Sequence, residues 1–217
     1  MSTSSTPTSR KEVRDAYPVL VSAELVLRAT KFAATNDVRY YLNGVCIKPS
    51  KSGGALVAAT DGHCLLVLHD PNGKADKARI LPFAKGRNDK GLSTRGADYV
   101  TVSTSDEIAV LDEDFRKRFI CPEPLIDAKY PAIEAVAGTP DLYEEGVRGS
   151  VNPAYLQRAI DSAGKGHGSQ VRFYHRKKSP EKSVLLFTTR SGFGVVMPMF
   201  DDAPLEKKLT KDFGGLA

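Results

Sequence analysis

Residues 39–68 read RYYLNGVCIKPSKSGGALVAATDGHCLLVL and contain two apolar runs joined by a glycine-rich segment. Apolar side chains alternate along 41–47, which is the pattern of a half-buried strand. The segment 50–54, SKSGG, supplies a hairpin connection to a second strand. Three polar side chains and a glycine at 60–63 interrupt that second strand before CLLVL, 64–68, resumes it. The stretch therefore predicts two strands, the second with a bend at TDGH where glycine tolerates unusual backbone angles.

Three segments in order carry a resemblance to a known family. RYYLNG followed by ATDGH resembles the middle domain of the bacterial beta sliding clamp, the processivity subunit of the replicative DNA polymerase. DAKYPAIEAV, 127–136, looks like the segment that links the clamp's middle and last domains, and VVMPM, 195–199, looks like its C-terminal strand. The resemblance implies an α+β protein with the DNA-clamp (processivity) fold: repeated strand-helix-three-strand half-domains with antiparallel sheets.

Two helices with capping signals fit that repeat. Ser22 is an N-cap candidate for a helix from Ala23 to about Ala34, and Asn152 with Pro153 opens a second helix that Gly164 ends. Apolar stripes at helical spacing predict the buried faces, which comprise Leu25, Ala29 and Phe32 in the first helix, and Tyr155, Leu156, Ala159, Ile160 and Ala163 in the second. Strands at 18–21 and 147–151 precede these helices, so the end of the chain repeats its beginning.

The predicted organisation has four parts. Residues 1–15 are a polar, Ser- and Thr-rich tail that we expect to be disordered. Residues 16–140 resemble the clamp's middle domain, and 141–200 resemble the end of its last domain. Residues 201–217 form a C-terminal tail, which is either solvated or docks Leu209 or Phe213 into a pocket on its own or a neighbouring subunit.

The middle-domain part departs from the family in one helix. The segment AKGRNDKGL, 84–92, has two glycines five residues apart, so we expect at most a turn or two of helix there. Tyr99 to Val102 and Ile108 to Leu111 then predict a hairpin, and Phe119 to Pro124 a further strand or edge.

Composition indicates an ordinary globular protein with a basic bias. The 217 residues are 41% hydrophobic and 26% charged, with a net charge of +5. Between residues 146 and 199 there are nine Lys or Arg and two acidic residues, so the basic excess lies in the C-terminal third. Such a balance suits a partner with phosphates.

Three cysteines without CxxC or Cys/His spacing favour free buried thiols, and neither a metal nor a cofactor is expected. We find no signal peptide and no apolar run that could cross a bilayer. We therefore predict a cytoplasmic protein that does not bind membranes.

The resemblance implies a peptide-binding pocket between the middle and last domains. Its residues, carried over by position, are Leu42, Thr60, Gly62, His63, Leu65, Pro131, Val136, Val195, Met197, Pro198 and Met199. Leu, Val and Met suit apolar peptide anchors, and Thr and His can fix polar groups. The sequence differs from the family at Cys64, near Ala135 and at Phe200, where basic residues are common in clamps.

The same resemblance places the helices on a DNA-facing wall. Arg28 and Lys31, three residues apart on a predicted solvent face, together with Arg158 and Lys165, are the candidate DNA-binding residues. A solvated helix face is the alternative explanation for Arg28 and Lys31.

The implied function is that of a shortened sliding clamp, which a phage could encode, without catalytic activity. Its partners would be replication proteins bound through short linear motifs, double-stranded DNA bound non-specifically, and copies of itself in a homo-oligomer. One alternative is a non-encircling mimic or decoy that competes for clamp partners. Another is a metal-dependent nuclease that uses the D-x-K pattern of Asp127 and Lys129.

Overall fold

The computed structural model describes residues 15–93, 96–164, 169–178 and 184–199. Its strands are β1 Val19–Ser22, β2 Val45–Pro49, β3 Ala55–Thr60, β4 Cys64–Asp70, β5 Lys74–Ala75, β6 Arg79–Leu81, β7 Tyr99–Val102, β8 Ile108–Leu111, β9 Lys117–Ile120, β10 Tyr143–Glu145, β11 Ser150–Val151, β12 Arg172–Arg176, β13 Leu185–Thr189, β14 Gly192–Val196 and β15 Pro198–Met199. Its α-helices are α1 Ala23–Thr30, α2 Lys90–Ser93, α3 Glu134–Ala137 and α4 Pro153–Asp161, with 3-10 turns at Tyr40–Leu42 and Pro140–Leu142.

The strands form two principal antiparallel sheets. The larger has eight strands in the order β10-β12-β13-β14-β4-β3-β2-β6, and the smaller has five in the order β5-β1-β7-β8-β9. This architecture confirms the predicted α+β fold with antiparallel sheets. A third pair, β11 with β15, joins the strand that precedes α4 to the last described strand.

The main core fills the space between the sheets and the helices. Residues from both sheets and from α1 form one buried cluster, in which Phe32 and Phe187 pack 6.2 Å apart between ring centroids. Leu66 and Leu68 of β4 point into this cluster, while the alternate residues Leu65 and Val67 point to the opposite face and form a second, smaller cluster. One strand thus supplies the core with one face and a surface site with the other.

The hairpin predicted for residues 39–68 is confirmed as β2 with β3, but the first strand begins later than expected. The predicted bend within the second strand is wrong: β3 and β4 are two strands that pair antiparallel, so TDGH is a hairpin turn at which the chain reverses direction. Leu42 and its neighbours in RYYLNG form the 3-10 turn Tyr40–Leu42 rather than strand, and β2 starts at Val45. The carbonyl of Leu42 accepts a hydrogen bond from the Ala34 N–H, which fixes the turn against the end of the first helical segment.

The helices are shorter than the apolar spacing suggested. α1 ends at Thr30 rather than near Ala34, although Phe32 is completely buried in the turn that follows. In α4 the Asn152 side chain accepts from the Ala154 N–H as an N-cap, as predicted, and Gly164 follows the helix at φ +84°. The prediction that Ile160 lies on the buried stripe is wrong, because its side chain is 48% exposed and Ala159 supplies the buried contact.

The weak helix after β6 is a single turn, α2, in agreement with the expectation for its two glycines. The hairpin β7–β8 and the three C-terminal strands β12, β13 and β14 are also confirmed. Sequence analysis missed β10, because YEE carries no apolar alternation.

The eight-stranded sheet crosses the boundary predicted near residue 140, because β14 pairs directly with β4 along its whole length. The division into two clamp-like parts stays a prediction. All three cysteines are buried, and none is in a disulfide. The helices in the described ranges are too short and polar to cross a bilayer. Residues 1–14 of the predicted tail 1–15 lie outside the described residues, as do the predicted tail 201–217, Lys165 and Phe200.

Candidate functional site

The hairpin turn between β3 and β4 is stabilised by hydrogen bonds from the side chains of its own residues. Thr60 Oγ1 donates to the Cys64 carbonyl at 2.8 Å and accepts from the Gly62 N–H at 3.0 Å. Asp61 Oδ1 accepts from the backbone N–H groups of His63 and Cys64, each at 2.9 Å. Gly62 adopts φ +89°, a conformation that L side chains rarely adopt. TDGH is therefore a self-stabilised turn that presents Gly62 and His63 at the surface.

Arg158 links this turn to helix α4. Its Nη1 donates to Asp61 Oδ2 at 2.6 Å and lies 3.4 Å from Cys64 Sγ. Burial works against ionisation of Asp61, but the two backbone N–H groups and Arg158 outweigh it and lower the pKa of the carboxyl below its usual value. Burial, assisted by the Asp61 charge, raises the pKa of the Cys64 thiol to about 12, so it stays protonated.

A stack of three side chains extends from the same turn. The His63 ring lies parallel to the Tyr155 ring, with 6.0 Å between centroids, and the Arg158 guanidinium covers Tyr155 at 5.3 Å. The His63 carbonyl accepts from the Met197 N–H at 2.8 Å. Residues from three distant parts of the chain are thus fixed around the turn.

A cavity of about 240 Å³ opens beside this turn. Nine of the eleven residues predicted for the pocket line it, namely Leu42, Thr60, Gly62, His63, Leu65, Pro131, Val136, Val195 and Met197. Leu42, Leu65 and Val195 are buried and form its floor, whereas Val136 is 40% exposed and Met197 44% exposed at its rim. Four separate stretches of sequence therefore meet in one apolar pocket.

Two predicted residues lie outside the lining. Pro198 and Met199 form β15, which pairs with Val151 and Ser150 of β11. Met199 is 49% exposed, so the strand end turns away from the pocket after Met197.

The sequence argument missed four lining residues. Arg39, Tyr41, Cys64 and Ile133 complete the pocket. Each lies within a segment that the resemblance had already selected, and Ile133 is buried against Leu65 and Val195. The Arg39 guanidinium packs on Gly62 and pairs with Asp37 at 2.8 Å. A Cβ built on Gly62 would lie 2.8 Å from Arg39 Nη1, so a larger residue there would displace the guanidinium.

Of the predicted DNA-facing residues that the structure describes, two are engaged within the chain. Arg28 is buried, not on a solvent face: its Nε donates to the Ser162 carbonyl at 2.8 Å, and its Nη2 donates to the same oxygen. Burial lowers the pKa of Arg28. Arg158 does not face outward either, because it pairs with Asp61. Lys31 keeps 40% of its side chain exposed and lies 3.9 Å from Asp161.

The residues of the D-x-K pattern are both exposed. The Asp127 carbonyl accepts a 3.4 Å hydrogen bond from the Tyr40 hydroxyl. Within the described ranges, no three His, Cys, Asp or Glu side chains come together as a metal site would require.

Solved structures similar to this one are bacterial sliding clamps. The DNA polymerase sliding clamp of Pseudomonas aeruginosa superposes with a TM-score of 0.60 at 19% identity, covering 89% of this chain and 70% of that one. DNA polymerase III subunit beta from Borrelia burgdorferi, in complex with a natural product, gives 0.60 at 14% identity, covering 90% and 67%. The Caulobacter crescentus sliding clamp gives 0.57 at 17%, covering 84% and 65%. No protein-family model and no curated protein matches the sequence.

The architecture therefore defines a protein of the sliding-clamp fold. This chain adopts that fold in about two thirds of the length of the clamps it resembles, with identities of 14 to 19% among the three described.

Proposed function

We propose that this chain is a sliding-clamp-like replication protein that captures short peptides from replication proteins in the pocket beside the TDGH turn. The observation that carries the proposal is the convergence of nine predicted residues, from four stretches of sequence, around one cavity. Its fold supports the replication role, because similar structures are DNA polymerase sliding clamps.

The pocket has the chemistry of an anchor site. Its floor is aliphatic, and its volume of about 240 Å³ suits one or two apolar side chains rather than a large metabolite. Met197 at the rim is flexible and adapts to anchors of different shape. The Thr60 hydroxyl is already engaged within the turn, so the groups best placed for a peptide's polar atoms are the exposed Arg39 and His63.

The first experiment removes the two apolar contacts. We expect Leu65→Ala combined with Met197→Ala to weaken binding of a leucine- and phenylalanine-containing clamp-binding peptide by roughly 2 kcal/mol or more, because both truncate anchor contacts. Isothermal titration measures the change. The matched control is Met199→Ala, which removes an equally exposed methionine outside the lining and should leave affinity unchanged.

A second control separates binding from folding. Leu65 is only 4% exposed, so its truncation also costs stability, and urea unfolding must show that the variant is folded at the titration temperature. The single variant Met197→Ala, at an exposed rim, should still weaken binding by about 1 kcal/mol. Unchanged affinity in both variants would remove the pocket from the proposal.

We include non-specific contact with double-stranded DNA in the proposal, supported by the net charge of +5 and by the fold. Such binding goes through phosphates, so affinity should fall steeply as salt rises and show little sequence preference. An absence of salt-dependent binding, with peptide capture intact, would favour the non-encircling mimic or decoy.

Assembly into a homo-oligomer distinguishes an encircling clamp from that mimic. Sedimentation at micromolar concentration should show a species several times heavier than 23.5 kDa if copies associate into a ring. A single 23.5 kDa species would exclude a stable encircling assembly. We propose no catalytic activity; magnesium-dependent cleavage of plasmid DNA that is lost in Lys129→Ala would contradict this and support the nuclease alternative.

A further inference from the structure

A second groove lies on the same face of the eight-stranded sheet as the pocket. It has a volume of about 630 Å³ and is bordered by the loop after α3 and by four strands. Its lining residues are Gly138, Thr139, Pro140, Tyr143, Glu144, Glu145, Tyr174, Leu186, Thr188 and Phe193. We call this the acidic groove.

The sheet register connects the two sites directly. One row of cross-strand neighbours runs Leu65, Val195, Leu186, Tyr174 and Glu145, across β4, β14, β13, β12 and β10. Directly opposite residues in antiparallel strands share a face of the sheet. The first two residues of this row line the pocket and the last three line the acidic groove. The two sites therefore lie on one face of the sheet, and Ile133 packs on that face between them.

A single covering segment borders both sites. Pro131, Ile133 and Val136 line the pocket, and the next residues along the chain, Gly138 to Pro140, line the acidic groove. Ile133 is buried on the sheet and anchors this segment between them. A ligand that occupies both sites therefore passes over the exposed residues Ala135 and Val136 of this segment.

The acidic groove differs in chemistry from the pocket. Tyr174 and Phe193 supply aromatic surface, and two glutamates stand at the edge of the groove. The ring of Tyr143 is already covered by the Arg176 guanidinium, 5.7 Å from its centroid. Glu144 is engaged with His175 Nε2 at 2.8 Å, whereas Glu145 is exposed. Aromatic rings beside carboxylates favour lysine or arginine, whose aliphatic stems pack on rings while the charge faces the carboxylate.

We propose that the acidic groove binds a basic segment that flanks the apolar anchors of the peptide captured in the pocket. This inference rests on the peptide binding proposed above and specifies its partner: apolar anchors followed or preceded by Lys or Arg. The position of the two sites on one face of the sheet and the opposite charge of the groove carry it.

The row of strands also gives the spacing. Three strand intervals separate Val195 from Glu145, about 14 Å at the usual distance between neighbouring strands. An extended peptide covers about 3.3 Å per residue, so the basic residues lie at least about four or five positions from the anchor that contacts Val195.

The experiment compares three synthetic peptides with the same leucine and phenylalanine anchors. Each carries a pair of residues at that spacing: two serines, two lysines or two glutamates, placed at either end in separate versions. We expect the lysine version to bind the full chain about threefold more tightly than the serine version at low salt, since one lysine forms an ion pair with the exposed Glu145, and the glutamate version to bind more weakly. High salt should remove the difference.

Variants of the protein assign the effect to the groove. Glu145→Gln should abolish most of the lysine advantage while the serine peptide binds as before. The matched control is Glu113→Gln, an exposed glutamate on the loop before β9, which should keep the full advantage.

Each outcome decides one of the two proposals. If no peptide binds, the proposed function fails. If the serine and lysine peptides bind equally, peptide capture stands and the acidic groove is not its flank site. If the lysine advantage appears only after residues 201–217 are deleted, the chain's own tail occupies the groove, and the proposal is overturned for the full chain.

Discussion

Two groups of residues were assigned functions from sequence: the strand and loop residues of the pocket, and the basic residues of the helical layer, which consists of α1 and α4. The structure brings the first group together and engages two members of the second within the chain. On the pocket face, nine residues chosen for peptide binding line one cavity. In the helical layer, Arg28 and Arg158 were chosen for DNA contact and instead bind other parts of the chain. The difference teaches that strand residues and helix residues carry different amounts of information about their own exposure.

Alternation along β4 assigns every residue to one of two faces, and a neighbouring strand cannot change that assignment. Leu65 and Val195 were carried over from the family resemblance, and both lie on the face of their strands opposite the main core, as alternation requires. A helix face is exposed only if no other helix or loop covers it. The sequence near Arg28 contains no signal that the end of α4 lies against it, because Ser162 is 134 residues away.

The largest expected effect concerns Arg28. Arg28→Met keeps the length and helix propensity of the side chain but leaves the carbonyl of the buried Ser162 without its donors. We expect the free energy of unfolding to fall by about 3 kcal/mol, measured by urea denaturation.

Lys31→Met on the same helix end is the matched control. The ion pair between Lys31 and Asp161 spans 3.9 Å and is partly exposed to solvent. Its loss in Lys31→Met should therefore change the free energy of unfolding by less than about 0.5 kcal/mol. Equal effects of the two substitutions would mean that the contact between Arg28 and Ser162 contributes little.

The second prediction concerns the pair that joins the pocket turn to α4. Arg158→Met and Asp61→Asn each break the ion pair between Arg158 and Asp61 and should each lower the free energy of unfolding by about 2 kcal/mol. The first variant leaves the Asp61 carboxylate without its cation, and the second leaves the half-buried Arg158 guanidinium without its anion. A double-mutant cycle should return a coupling of about 1 kcal/mol; simple additivity would show that the pair is not coupled.

The pH dependence of that pair has a definite sign. The pKa of Asp61 is lower in the folded chain than its usual value of about 3.9, so its contribution is complete above about pH 4 and is lost as pH falls through the folded value. The stability difference between the wild type and Asp61→Asn should therefore shrink when unfolding is repeated below pH 4. A difference that persists undiminished at pH 2 would contradict the assignment.

Much of the fold and of the site could be predicted because the evidence was local. The polar break at TDGH, the Asn152 cap and the single turn of α2 each follow from residues next to one another in sequence. The reversal of the chain at TDGH was missed, because it depends on the pairing of β3 with β4. The missed features depend on long-range packing. The strand β10 forms because β12 offers it an edge, and Ile160 is exposed because the smaller Ala159 makes the buried contact.

The third prediction compares two glycines with the same backbone angle. Gly53 and Gly62 both have φ +89°, so an alanine at either should cost about 1 kcal/mol of stability. A Cβ at Gly53 meets nothing within 4 Å, whereas one at Gly62 would displace the Arg39 guanidinium at the pocket rim. We expect Gly62→Ala alone to weaken peptide binding. Equal affinities of the two variants would show that the position of Arg39 does not matter for capture.

The smallest expected effect tests what is left of the DNA-facing helix. Among the predicted DNA contacts that the structure describes, Lys31 keeps a substantially exposed amine. Lys31→Ala should scarcely change stability, but if Lys31 contacts a phosphate it should reduce the slope of log affinity against log salt by about 0.9. Lys51→Ala, on the exposed hairpin turn between β2 and β3, is the matched removal of one charge. Because both variants lower the net charge equally, a change confined to Lys31→Ala places DNA at the helical layer, and equal changes would mean that only the overall charge of the protein attracts it.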